Sequence, residues 1–183
     1  MSIAAETEPA ALLRAELETL RSAAAAGPVL DLACGAGRNA VAAARAGCAV
    51  IGLDRDRARL AALRAAARAA GVQVSLLQAD FEAAAAIPLA SASCAAVLVF
   101  RYLHRALAPE IVRVLRPNGL LLYETFTKQQ REIARHPSNP AFLLEPGELP
   151  RLFPGFSVLR AEEAHVTMPR PEAVARLVAR KPG

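Results

Sequence analysis

Lysine is nearly missing from this chain: Lys128 and Lys181 are the only two, so the net charge of +5 comes almost wholly from arginine. Tryptophan is absent and aromatic residues make up 4% of the 183 positions, while alanine supplies much of the 54% that is apolar, which favours numerous, closely packed helices. The three cysteines, Cys34, Cys48 and Cys94, are odd in number and lack metal-ligand spacing. They exclude a disulfide framework and a metal set, and they fit a reducing cytoplasm. No apolar run of about eighteen residues is free of charge and no charged-then-apolar leader opens the chain, so a cytoplasmic protein with no membrane partner is expected. The length excludes a nucleotide domain joined to a separate catalytic one, and a single domain over 1–183 is expected.

What is present is concentrated in residues 29 to 39, Val29-Leu30-Asp31-Leu32-Ala33-Cys34-Gly35-Ala36-Gly37-Arg38-Asn39. They read as a short apolar strand, a turn of small residues and a helix start. Glycines in such a turn let a ligand approach the backbone, and the helix offers unpaired N–H groups with a partial positive charge. Asp54 closes the next apolar run, Ala49-Val50-Ile51-Gly52-Leu53, where an acceptor-only carboxylate suits the two neighbouring hydroxyls of a ribose.

Gly35-Ala36-Gly37-Arg38-Asn39-Ala40 also fits a dinucleotide fingerprint ending in alanine. Asp31 argues against it. A pyrophosphate at this turn would be repelled by an adjacent carboxylate, whereas an ammonium or sulfonium would be attracted.

With these residues the chain resembles the class I, Rossmann-like S-adenosylmethionine-dependent methyltransferases, whose first motif is acid-x-Gly-x-Gly-x-Gly. Asp31, Ala33, Gly35 and Gly37 match it, with Ala33 in place of the first glycine. Gln78-Ala79-Asp80-Phe81 stands where the family binds adenine. The resemblance implies a three-layer Rossmann-like fold with a mostly parallel sheet and an antiparallel last strand. It implies S-adenosylmethionine as cofactor, with the methionine amino group near Asp31, ribose on Asp54, the adenine amine on Asp80 and the adenine ring at the Phe81 N–H. The expected cofactor set is Asp31, Ala33, Cys34, Gly35, Gly37, Asn39, Asp54, Arg55, Asp80, Phe81 and Phe100. Asn39 is expected either to bond the methionine carboxylate or to anchor backbone, and Cys34 to be a small turn residue rather than a nucleophile.

Along the chain, residues 9 to 26 read as an amphipathic helix with Leu12, Leu13, Leu17 and Leu20 on one face. Strands are expected at 28 to 33, 48 to 53 and 72 to 77, alternating with helices at 37 to 46 and 56 to 70, a pattern that makes a parallel sheet. The second helix turns Arg57, Arg64 and Arg68 outward, a solvated face rather than a nucleic-acid patch, with Leu60, Ala61 and Leu63 inward. A short helical piece near 81 to 86 precedes a buried strand at 95 to 100, a helix from 104 to 115 and a fifth strand at 120 to 124. The proline-rich stretch 125 to 155 is expected to cover an acceptor pocket, and 156 to 161 with 174 to 179 to close the sheet as a strand pair.

Phe100-Arg101-Tyr102-Leu103-His104-Arg105 follows the fourth strand, at the switch point where open α/β sheets hold ligands. His104, Arg101 and Tyr102 are the catalytic candidates. His104 would top a helix that keeps it neutral and able to take a proton, or be structural. Arg101 and Arg105 would grip an oxyanionic acceptor or lie on the surface; Tyr123 and Glu124 face the same rim, Glu124 needing a partner.

No Asn-Pro-Pro-aromatic or Asp-Pro-Pro-aromatic pattern and no Pro-Cys nucleophile follows the fourth strand, so a small-molecule acceptor is expected and nucleic acid is not. Within the superfamily, Leu-Ala-Cys-Gly-Ala-Gly-Arg-Asn, Phe-Arg-Tyr-Leu-His-Arg and Tyr-Glu-Thr-Phe-Thr resemble the small bacterial tellurite-resistance-type methyltransferases. The alternatives are a non-catalytic member of this fold that binds the cofactor, RNA or a protein, and an NAD-dependent oxidoreductase. Oligomeric state is not legible.

Overall fold

The computed structural model describes residues 8–134, 136–167 and 171–183, apart from the side chains of Glu82 and Ala84. Its centre is a seven-stranded sheet of order β3-β2-β1-β4-β5-β7-β6. The strands are β1 (Val29–Leu32), β2 (Val50–Asp54), β3 (Ser75–Gln78), β4 (Cys94–Phe100), β5 (Leu115–Phe126), β6 (Ser157–Val166) and β7 (Glu172–Arg180). The first five pair in parallel, and β7 runs antiparallel to both β5 and β6. The chain reverses its strand order beside β1, so a crevice opens between the C-terminal ends of β1 and β4.

Apolar residues on both sides of the strands account for two helical layers. One sheet face carries Leu30, Leu32, Val97, Val99, Leu121, Tyr123 and Leu177, covered by α5 (Phe81–Ala84), α6 (Ala108–Val114), α7 (Gln130–Ile133) and α8 (Glu148–Arg151) or the segments beside them. The other carries Val29, Val50, Ala96, Leu98, Leu120 and Val178, covered by α1 (Ala11–Ala15), α2 (Leu17–Ala24), α3 (Arg38–Arg45) and α4 (Arg57–Ala69). In α4 the inward residues are Leu60, Leu63 and Ala67, whereas Ala61 is exposed, because the stripe follows the helical period rather than adjacency. Asp56 caps α4 by accepting from the N–H groups of Ala58 and Arg59 at 2.8 and 3.2 Å.

Several elements differ from the sequence reading: β6 runs on to Val166 rather than ending at 161, and β3 begins at Ser75 rather than 72. The expected helix over 9 to 26 is two helices broken at Glu16, whose carboxylate meets Arg160 of β6 at 3.2 Å; residues 1–7 lie outside the described residues. The expected helix over 104 to 115 is a 3-10 turn at Arg105–Leu107 followed by the seven-residue α6. The fifth strand is longer than 120 to 124, because Leu115 already pairs with Cys94 before the register shifts.

Candidate functional site

The turn after β1 begins on Ala33, whose φ of 57° is left-handed and costs an L-residue about 1–2 kcal/mol. The two glycines that follow have separate roles. A Cβ on Gly37, at φ 85°, would lie 2.1 Å from Leu63 Cδ1, so this glycine seats the turn on α4. A Cβ on Gly35, at φ 56°, would meet nothing nearer than Arg59 Nη1 at 3.7 Å. Gly35 is therefore the one that leaves room for a ligand.

Asp54, at the end of β2, fastens this turn: its Oδ2 accepts from the Gly35 N–H at 2.8 Å and its Oδ1 from the Asp56 N–H at 2.9 Å. Each oxygen keeps a lone pair. Asp31 is only 2% exposed, and its Oδ2 has no hydrogen-bond partner. Burial raises its carboxyl to about 7, opposed by the Ala40 N–H and by the Arg38 charge. Near neutrality its charge is therefore only partly present, and a cation beside it would favour the ionised form. Burial, then the Asp31 and Asp54 charges, push the Cys34 thiol well above its ordinary range, which leaves it inert as a nucleophile.

These groups border a cavity of about 860 Å³ that opens at the crevice between β1 and β4. Asp31, Ala33, Cys34, Gly35, Gly37, Asn39, Asp54, Arg55, Phe81 and Phe100 all border it, joined by Arg101 and Tyr102. Asp80 does not; it is exposed, and its Oδ1 accepts from the Ala83 N–H at 3.2 Å in the first turn of α5. Asn39 borders the cavity, yet its Oδ1 is taken by the buried N–H of Ala10 at 2.9 Å. Of the two roles expected of it, the structure shows the anchor.

The catalytic candidates separate. Arg101, at φ 58°, places its Nη2 at 2.5 Å from Glu172 and 3.3 Å from Glu124, with its guanidinium 4.9 Å from the Phe126 ring centre. Tyr102 meets Phe81 edge-on at 5.7 Å. His104 does not border the cavity; its Nδ1 is buried without a hydrogen-bond partner, and the 3-10 turn after it is too short to supply the helix terminus expected there.

The Arg105 guanidinium is engaged within the protein. Its Nε and Nη2 bond Glu148 at 2.5 and 2.9 Å, while Nη1 and Nη2 bond the carbonyls of Ala141 and Leu143 at 2.7 and 2.9 Å. It thereby ties down the stretch 125 to 155, none of whose described residues borders the cavity. Leu143, Leu144, Leu149 and Phe153 of that stretch pack instead in the apolar cluster around Tyr123.

Three participants were not anticipated from the sequence. Arg38 borders the cavity from the first position of α3. Glu172 and Arg176, both on β7, complete a ladder Glu172–Arg101–Glu124–Arg176–Glu162, with Arg176 Nε at 2.6 Å from Glu124 and Nη1 at 3.0 Å from Glu162. Arg38 follows Gly37 directly and was visible in the motif; the β7 pair depends on the antiparallel register, which sets Glu124 across from Arg176. Among the described residues no group of three or more His, Cys, Asp or Glu could hold a metal ion, and no helix is long and apolar enough to cross a membrane.

A family model described as a methyltransferase domain matches residues 29–119, from β1 into β5. The ribosomal protein L11 methyltransferase of Thermus thermophilus is 33% identical over 107 residues, covering 58% of this chain and 41% of that protein. The chain thus spans about two fifths of the length of that curated relative. Among solved structures, TehB from Haemophilus influenzae superposes with a TM-score of 0.69 at 19% identity, over 90% of this chain and 62% of its own. A geranyl diphosphate methyltransferase solved with GPP and sinefungin gives 0.68 at 18%, over 92% and 78%. The acid-and-glycine turn, the second acid and this sheet order are those expected of the class I, Rossmann-like S-adenosylmethionine-dependent methyltransferases, whose fold the chain has, and residues 29–119 match the methyltransferase-domain model.

Proposed function

We propose that this chain moves a methyl group from S-adenosylmethionine to a small nucleophile, a thiol or a chalcogen oxyanion, held beside the C-terminal end of β4. The observation that carries this reading is Asp31, which borders the cavity and whose buried Oδ2 has no hydrogen-bond partner, an acceptor suited to an ammonium group and ill suited to a diphosphate.

The cofactor supplies a methyl already activated on a sulfonium. The protein's contribution is alignment, which is worth several kcal/mol when the reacting atoms are held in line. Asp31 would hold the ammonium, the open side of Gly35 would admit the ligand against the backbone, and the spare lone pairs of Asp54 would accept the ribose hydroxyls. Phe81 and Phe100 offer apolar walls, and Arg101 with Tyr102 bounds the side from which the acceptor approaches. His104 stands off the cavity, so the acceptor arrives as an anion or loses its proton to solvent.

A second reading, cofactor binding without transfer, is favoured by one observation: Arg101 is already engaged by Glu124 and Glu172. Calorimetry with S-adenosylmethionine and S-adenosylhomocysteine, followed by incubation with methyl-labelled cofactor and a panel of thiols and chalcogen oxyanions, separates the two. Saturable binding with label transfer supports the enzyme. Saturable binding with the cofactor left intact across the panel supports the second reading, and no saturable binding removes both.

A further inference from the structure

Residues 38 to 79, which form α3, β2, α4 and β3 at one end of the sheet, hold seven arginines against two aspartates and so carry the chain's whole net charge of +5. The rest of the chain is balanced, and its cations are engaged: Arg101, Arg105, Arg113, Arg160 and Arg176 each meet a carboxylate at 3.2 Å or less. At the basic end the pairing stops. Among the described residues, Arg45, Arg57, Arg64 and Arg68 are exposed and make no hydrogen bond or ion pair.

Helix stability does not account for this placement. Arg57 stands at the first position of α4, where the helix dipole opposes a cation, and Arg64 and Arg68 are like charges one turn apart. Both arrangements weaken the helix, and no carboxylate between Arg57 and Ala69 offsets them. The helical period sets Arg57, Arg64 and Arg68 on one face, along about 16 Å of helix. Arg64 and Arg68 also border a second depression, of about 800 Å³, at the N-terminal ends of β1, β2 and β3. It shares no bordering residue with the cavity at the other end of these strands.

The other exposed side chains of this helix narrow the partner. Apart from arginine they are all alanine: Ala58, Ala61, Ala62, Ala65, Ala66 and Ala69. With no large apolar side chain to insert, the face is unsuited to a bilayer. With no aromatic, it offers neither a stacking platform for unpaired bases nor the anchors of a protein interface. Guanidinium groups do suit phosphate oxygens, which they bond in pairs. We propose that the exposed face of α4 docks the sugar–phosphate backbone of a nucleic-acid duplex, with Arg57, Arg64 and Arg68 on its phosphates and no reading of base sequence. From sequence alone these arginines read as a solvated face; the engaged cations in the rest of the molecule set them apart. The proposal is independent of the methyl-transfer reading, since none of the three borders the cofactor cavity.

Fluorescence anisotropy of a labelled RNA duplex, titrated with the full chain at several salt concentrations, tests this. Three neutralised phosphates predict a loss of affinity of roughly fortyfold between about 50 and 200 mM salt. A duplex of shuffled sequence should bind within about twofold. Arg64→Gln with Arg68→Gln is expected to weaken binding at least about tenfold and to flatten the salt dependence, while Arg64→Lys with Arg68→Lys, which keeps the charge, restores that dependence. Arg131→Gln with Arg151→Gln removes the same charge elsewhere and should cost no more than about threefold. Equal losses in the two glutamine pairs, lysine variants as weak as the glutamine ones, or a wild type without salt-dependent binding overturn the proposal. Tighter binding of a single strand, or equal competition by polyglutamate or by phosphatidylserine vesicles, overturns the assignment to a duplex backbone.

Discussion

The carboxylate of Asp54 and the N–H of Gly35 are joined at 2.8 Å, a bond that ties the end of β2 to the turn after β1 before any ligand arrives. Asp54 therefore has a structural role beside its proposed ribose contact. Asp54→Ala leaves the Gly35 and Asp56 N–H groups without acceptors, and is expected to lower the unfolding free energy of the ligand-free chain by about 1–3 kcal/mol. Asp54→Asn, which keeps an acceptor oxygen, should lose less. Urea titration measures both, and an unchanged midpoint for Asp54→Ala contradicts the fastening role.

Asp31 makes stability depend on pH. Its folded value of about 7 lies above the ordinary 3.8, so the folded state holds a proton that the unfolded chain has already released between those values. The resulting stability is fully present below pH 3.8 and is lost as pH rises through about 7. Asp31→Asn removes the buried charge. At pH 8 the variant should exceed the wild type by an amount on the order of 2–4 kcal/mol, and the gap should narrow as the pH is lowered toward 4. Urea unfolding across that range checks it; a gap independent of pH contradicts the burial of Asp31.

Ala33 adopts φ 57° where the methyltransferase motif that the turn resembles has glycine. Glycine relieves the left-handed strain but adds entropy to the unfolded chain, so Ala33→Gly should raise stability by about 0.5–1 kcal/mol. Thermal and urea unfolding test this, and a destabilised variant would mean that the methyl group of Ala33 contributes packing larger than its strain.

Arg105 holds Glu148 and two carbonyls of the stretch it ties down. Arg105→Ala should speed hydrogen exchange at the amides of Leu144 and Glu148, while calorimetry with S-adenosylhomocysteine stays unchanged because Arg105 does not border the cavity. A large loss of cofactor affinity instead would place this stretch within the binding site.

The alternating core of the fold was legible because its signals are local. Apolar runs at Val29–Leu32, Val50–Asp54 and Cys94–Phe100, separated by helical stretches that stop near Gly47 and Gly71, define a parallel sheet without knowledge of distant contacts. The break at Glu16 was not legible, since it accompanies a contact with Arg160 from the opposite end of the chain. The site divides in the same way. Asp31, Gly35, Gly37 and Asp54 could be placed because strand ends and a tight turn fix where they point. His104 and Arg105 could not, because adjacency to Arg101 does not reveal which wall each side chain faces. Glu124 was seen to need a partner, but naming Arg176 required the register of β7.

The most direct test of the central claim counts protons on binding. In calorimetry with S-adenosylhomocysteine near pH 6.5, run in buffers of differing ionisation enthalpy, a cation placed beside Asp31 should drive its carboxyl to the ionised form, with release of up to about one proton. The same titration of Asp31→Asn should release none from this group, and NAD should give no saturable heat with the wild type. Binding without proton release, or saturable binding of NAD, would contradict the assignment of Asp31 as the cation-selecting residue.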